Sequence, residues 1–147
     1  MQTEITESLS RRIVEESPDA IIYADRDGLI RLWNAGAETM FGYEAGEAIG
    51  QSLDLIIPEK LRTRHWDGYH RVMATGETRY GAGDLLAVPG LHKDGSRMSL
   101  EFSIAILRDN ANEIMGIAAI LRDVTTRWNQ ERALHQRIKE LEAQVST

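Results

Sequence analysis

The chain has 147 residues, 42% of them hydrophobic, which suits one domain with a buried core and flanking helices and argues against disorder. Its net charge of -6 repels phosphate backbones and disfavours nucleic acid as a partner; with no cysteine, it has no disulfide, thiolate metal site or cysteine nucleophile. No run approaches the roughly 20 apolar residues of a membrane span, and the start MQTEITESLS is unlike a secretory leader, so a cytoplasmic setting without a membrane partner is expected.

Ile5, Leu9 and Ile13 recur at helical spacing, which predicts an amphipathic helix over residues 1–16, ended by Ser17-Pro18. Ala20 to Ala24 is a compact apolar strand, Asp27-Gly28 a turn, and Leu29 to Trp33 the return strand. Asn34 is a plausible N-cap for a short helix, Ala35 to Phe41. Gly42, Gly46 and Gly50 then divide the chain into short helical turns. Pro58 opens a longer helix that runs to about Ala74 and stops at Gly76.

Strand patterns follow. Tyr80 to Val88 is one, Asp94-Gly95 marks a turn, and Met98, Leu100, Phe102, Ile104 and Ile106 alternate as a half-buried strand does. Ile114 to Val124 is the last strand. From Thr126 the chain turns helical, with Leu134, Ile138, Leu141 and Val145 forming a heptad seam of barely two heptads. Such a seam needs the domain, a longer parent chain or a partner to hold it. Strands grouped around helices in this order predict an α+β domain: an antiparallel sheet with helices over one face, over residues 17–126, and a C-terminal coiled-coil helix over 127–147.

No paired carboxylates, Ser-His-Asp set, phosphate loop or metal-spaced cluster stands out, so no enzyme is expected. His92 is placed in an exposed turn and His135 on a solvated helix face.

Ser17-Pro18-Asp19-Ala20, Asp25-Arg26-Asp27-Gly28, Trp33-Asn34-Ala35-Gly36-Ala37-Glu38, Phe41-Gly42-Tyr43, Gly50, Pro58, Lys93-Asp94-Gly95 and Arg122-Asp123-Val124-Thr125 stand in order along the chain. Through them, residues 15–126 resemble the PAS family of sensor domains. The resemblance implies a five-stranded antiparallel sheet with a helical lobe over a ligand cavity. It also implies a sensory or dimerising role, and an Asp-Val-Thr link to an output helix.

On the long helix, laid out at about 100° per residue, His65 falls inside the arc of Leu61, Val72 and Tyr69, while His70 lies toward its edge. A neutral imidazole facing an apolar cavity suits a haem iron; the other reading is a core histidine bonded to a main-chain carbonyl. The segment from Arg64-His65 through Asp67-Gly68-Tyr69 to Thr75-Gly76 resembles the haem-PAS oxygen-sensing kinases. That resemblance implies haem b held by His65, with Arg71 and Arg79 on its propionates. It also places Leu85 or Leu86, with Tyr69 and Ile104, on the pocket wall. Those sensors carry a distal arginine where Leu85 or Leu86 stands here, so carbon monoxide, nitric oxide or a redox change suits this chain better than stable oxygen binding. Met98 faces the same side as Leu100 and Ile104, as a sixth iron ligand or as core packing. Trp33, Trp66 and Tyr69 form either an aromatic wall for a flat ligand such as flavin or ordinary packing. The alternative to a cofactor-bearing sensor is a cofactor-free homodimerisation module, paired through Ile5, Leu9 and Ile13 and serving an unidentified downstream signalling protein.

Overall fold

The computed structural model describes residues 1–78 and 86–146. Helix α1, Gln2–Glu16, leads into strand β1, Ala20–Asp25, which turns back as β2, Ile30–Trp33. Short helices α2, Ala35–Phe41, and α3, Ala45–Ala48, follow. Two 3₁₀ turns, Leu53–Ile56 and Glu59–Leu61, precede α4, Arg62–Thr75. Strands β3, Leu86–Leu91, β4, Arg97–Arg108, and β5, Ile114–Asp123, end in α5, Thr125–Ser146. The five strands form one antiparallel sheet in the order β2-β1-β5-β4-β3. This is the expected α+β architecture, with both flanking helices present.

Local chemistry sets the joints. The Asp25 carboxylate accepts the main-chain N–H groups of Asp27 and Leu29 and so closes the β1–β2 turn. Gly28 occupies that turn at φ 78, where a side chain would also strike the Trp66 ring. Leu29, expected inside the second strand, forms only an isolated bridge to Ser52. The long helix begins at Arg62 rather than at Pro58, because residues 59–61 tighten into the second 3₁₀ turn. Gly76, in the left-handed region, ends it as expected. Of the strand expected over residues 80–88, the first part lies outside the described residues; the described part continues to Leu91. Pro89, which has no N–H to give, sits on β3 at the sheet edge.

One face of the sheet carries the core. In β1, Ala20, Ile22 and Ala24 are buried while Ile21, Tyr23 and Asp25 are half-buried, the period of two of a strand with one face inward. A larger cluster joins Ile22, Ile30, Trp33, Ala37, Phe41, Met98, Leu100 and Leu121. A smaller one joins Ala24, Tyr69, Met73 and Ile114, with Trp66, Val72, Ile106 and Ile117 against it. The larger cluster seats α2, and the smaller one seats α4.

Candidate functional site

The candidate site is the seam where α4 meets the sheet. Tyr69 and Met73 are the buried residues of α4, and His65 lies one turn before Tyr69, half-buried on the same side. The His65 ring meets Trp66 edge-on, with centroids 4.7 Å apart, and tilts against Tyr69 at 5.7 Å. Trp66 is fixed in turn: its indole N–H donates to the Asp54 carboxylate at 2.7 Å, and its ring lies over Gly28. The Tyr69 hydroxyl donates to the main-chain oxygen of Asp25 at 2.5 Å and lies 3.3 Å from that of Ala24.

Within this cluster the Nδ1 atom of His65 is buried and has no hydrogen-bond partner among the described residues. Burial holds the His65 pKa below its ordinary 6.5; the Asp54 carboxylate pulls it back up, and His70 adds to the depression. The imidazole is therefore neutral near neutral pH, the form that can ligate a metal. Burial likewise pushes the Tyr69 phenol well above its ordinary range, with Asp25, Tyr23 and Asp27 acting in the same direction. It stays protonated and able to donate.

The other expected site residues are dispersed. Arg71 is exposed. Leu86 and Ile104 are half-buried in β3 and β4. Met98 is buried with Ile30, Trp33 and Leu100 in the larger cluster, whereas Tyr69 belongs to the smaller one. Those surroundings suit core packing. Arg79 and Leu85 lie outside the described residues. Trp33 packs on Phe41 and donates its indole N–H to Tyr43, so it belongs to the larger core and does not share a wall with Trp66 and Tyr69. His92, expected to be exposed, is half-buried: its ring lies against Gly42, and its Nδ1 accepts the Asp94 N–H at 3.0 Å.

Two surface depressions stand out among the described residues, and both leave His65 outside. One is lined only by residues of α1, such as Ile5 and Leu9. The other, about 270 Å³, lies between the end of α4 and the β4–β5 turn, where Arg26 and Arg108 are already bonded to the main-chain oxygens of Ile114 and Asn112. No group of three or more His, Cys, Asp or Glu side chains among the described residues could hold a metal ion, and no helix among them is long and apolar enough to cross a membrane.

Sequence reasoning treated Asn34 as a helix cap only, and its role is larger. Its side-chain oxygen accepts from Ala37 N at 2.9 Å and Ile21 N at 2.8 Å, and its amide donates to the main-chain oxygens of Val14 at 2.7 Å and Asp19 at 3.0 Å. One side chain thus ties α1, β1 and α2 together. At the other end, the Thr125 hydroxyl accepts from Ser99 N at 2.9 Å and donates to Asp123, while Val124 N donates to Ser99 O at 2.8 Å. These bonds set the angle at which α5 leaves the sheet, and an Arg127–Glu101 ion pair adds to them.

Known proteins resemble this chain in sequence and fold. Sensor protein FixL of Bradyrhizobium diazoefficiens is 29% identical over 136 residues, which span 92% of this chain and 25% of FixL. An uncharacterised protein of Azorhizobium caulinodans is 32% identical over 133 residues, 90% of this chain and 18% of that protein. The chain thus spans a quarter or less of these relatives. The PAS domain of a protein from Colwellia psychrerythraea superposes with a TM-score of 0.70 at 24% identity, over 83% of this chain and 98% of that one. The sequence profile of the PAS fold matches residues 14–129, so the chain, whose sheet, helical lobe and Asp123-Val124-Thr125 junction follow that pattern, belongs to the PAS fold family of sensory and regulatory domains.

Proposed function

We propose that the chain is the sensory input module of a larger cytoplasmic signalling protein, that it holds haem b through His65, and that it passes a change of state through β5 and the Asp123–Thr125 junction to α5. The observation that carries this reading is the buried, unpartnered Nδ1 of a neutral His65. A buried polar atom without a partner is costly in a folded protein and calls for an explanation. A ligand role would supply one if the ring re-orients on binding, so that one nitrogen meets the iron and the other finds an acceptor, in keeping with the resemblance of the α4 segment to the haem-PAS kinases.

The donor set fits the group in its iron ligand. His65 would hold the iron, and Arg71, with Arg79, would serve the propionates. Haem would supply a site for a diatomic gas or a change of redox state. The chain's own residues govern access. Tyr69 and Trp66 fasten α4 to the β1 end and the β1–β2 turn, so taking up a planar group behind α4 requires that fastening to loosen. Met98 stays with the larger core in this reading.

The test is direct. Purified protein is mixed with haemin and the visible spectrum is recorded. A retained Soret band that moves on reduction and on adding carbon monoxide, and that is lost in His65→Ala, is the expected result. A protein that retains no band, or whose band ignores the substitution, overturns the reading.

A second reading has its own observation. Helix α1 buries none of its residues, and Ile5, Leu9 and Ile13 form an exposed apolar stripe. A cofactor-free module that pairs with a second copy through this stripe would cover it. The downstream partner in either reading is a protein rather than a nucleic acid or a membrane, given the net charge of -6. A monomer in sedimentation at high protein concentration speaks against the α1 pairing.

A further inference from the structure

Arg31, Arg62, Arg122, Arg127 and Arg137 each have a carboxylate for a partner, on Asp25, Asp54, Asp19, Glu101 and Glu140. Arg26 and Arg108 are held differently. Arg26 leaves the β1–β2 turn and donates an Nη1–H to the main-chain oxygen of Ile114 at 2.9 Å. Arg108, at the end of β4, donates an Nη1–H to that of Asn112 at 3.0 Å. Among the described residues, no carboxylate stands within ion-pair distance of either. A carbonyl anchor fixes a guanidinium without neutralising it, and leaves its Nε and Nη2 donors free to give.

Both arginines line the depression of about 270 Å³ between the end of α4 and the β4–β5 turn. The fold makes room for Arg108 there. Gly76 ends α4 at φ 71, and a Cβ on it would stand 2.5 Å from Nη2 of Arg108. Glycine thus serves the left-handed stop and lets the guanidinium lie against the helix end. The acid among the described lining residues is Glu113, which pairs with neither arginine. A monoanion gains little against that carboxylate and the carbonyl end of α4. A phosphoryl dianion has the oxygens to meet both guanidinium forks and the charge to outweigh Glu113. The volume leaves space beyond a phosphoryl group for an organic remainder.

We propose that the depression between α4 and the β4–β5 turn binds the phosphoryl dianion of a small phosphate monoester, gripped by Arg26 and Arg108. His65 does not line it, so the site stands whether or not haem is held.

The full chain, isotopically labelled for NMR, is titrated with glycerol phosphate at about pH 8, where phosphate monoesters are dianions. The side-chain N–H signals of both arginines and the Gly76 amide should move and saturate. Sodium acetate at matched ionic strength should not reproduce this. Arg26→Gln and Arg108→Gln should each weaken binding about tenfold, the worth of a charge-assisted bond. Each also loses a main-chain anchor, so Glu113→Gln is the second variant; its main-chain bonds to Asp109 remain. Removing that like charge should tighten binding several-fold. Shifts that never saturate, or that acetate reproduces, overturn the proposal, as does a Glu113→Gln chain that binds no tighter. Saturation by inorganic phosphate but not by glycerol phosphate overturns the monoester. Haem uptake is read separately, so failure here leaves the His65 reading standing.

Discussion

The hydroxyl of Tyr69 on α4 donates to the main-chain oxygen of Asp25, the last residue of β1, at 2.5 Å. Asp25 is the residue whose carboxylate closes the β1–β2 turn and pairs with Arg31 at 2.8 Å. One residue therefore fixes the hairpin through its side chain and the helix through its backbone. Burial would raise the Asp25 carboxyl, but the bonds from Arg31 and from the Leu29 and Asp27 amides outweigh it and hold it below its ordinary range.

Tyr69→Phe keeps the ring and removes this bond. It should cost about 1–2 kcal/mol in urea unfolding, the worth of a buried hydrogen bond. If haem enters behind α4, the same variant should take it up faster, because the fastening is weaker. The raised phenol pKa adds a test of sign. Tyr69 remains protonated in the folded chain where the unfolded chain begins to ionise, near its ordinary 10.0. Its contribution is therefore complete below about pH 10 and is lost as pH climbs above it. The stability difference between wild type and Tyr69→Phe should shrink in that range; a constant difference argues against the buried phenol.

His65 titrates in the opposite sense. Its folded pKa lies below the ordinary 6.5, so its contribution is present above that value and is lost as pH falls through the folded pKa. His65→Phe retains the aromatic contacts and removes both the orphaned Nδ1 and the titration. The variant should be more stable than wild type by about 1–3 kcal/mol at neutral pH, the cost of an unsatisfied buried polar atom. Its unfolding midpoint should vary less between mildly acidic and neutral pH. A parallel acid loss in both proteins would mean that another histidine is responsible.

Asn34→Ala removes five side-chain bonds, the longest of them to Ser17 O at 3.5 Å, at a residue only 4% exposed. A loss of about 2–4 kcal/mol is expected, more than a helix cap alone is worth. Because the amide also holds the end of α1, limited proteolysis should cut within residues 1–16 faster in the variant at denaturant-free conditions. Unchanged cleavage there would show that α1 is held by other contacts.

Thr125→Val removes the hydroxyl that joins Ser99 to Asp123. Global stability should fall by only about 1 kcal/mol. Hydrogen exchange in the first turn of α5 should rise about fivefold, while exchange in β1 stays the same. Equal increases in both places would show that the junction is part of the cooperative core rather than a local hinge.

The legible parts of the fold were those written in short-range patterns. The alternation from Met98 to Ile106, the Asp-Gly turns, the left-handed stop at Gly76 and the C-terminal helix each follow from chemistry within one element, and the structure has all of these features in the described residues. Periodicity gives the side of an element and not its neighbours. It placed Met98 and His65 on inward faces, but Met98 packs with α2 while Tyr69 and Trp66 pack with the β1 end. Asn34 read as a cap because Ala37 is three residues away; its bonds to Val14 and Ile21 join residues far apart in sequence, and no local pattern signals them. The same holds for Tyr69, whose partner lies 44 residues earlier.

Ala20, the first residue of β1, is paired with Leu121 near the end of β5, on neighbouring antiparallel strands. The chain thus comes into the sheet and goes out of it side by side, and an Asp19–Arg122 ion pair at 3.2 Å bridges the two crossings. A module whose two ends meet at one spot can be spliced into a continuous rod, or strung in tandem with others, without lengthening or shortening the thread that carries it. What such a module changes is the twist and lean of the thread at the splice. That makes the fold suited to serve as an insertable cassette.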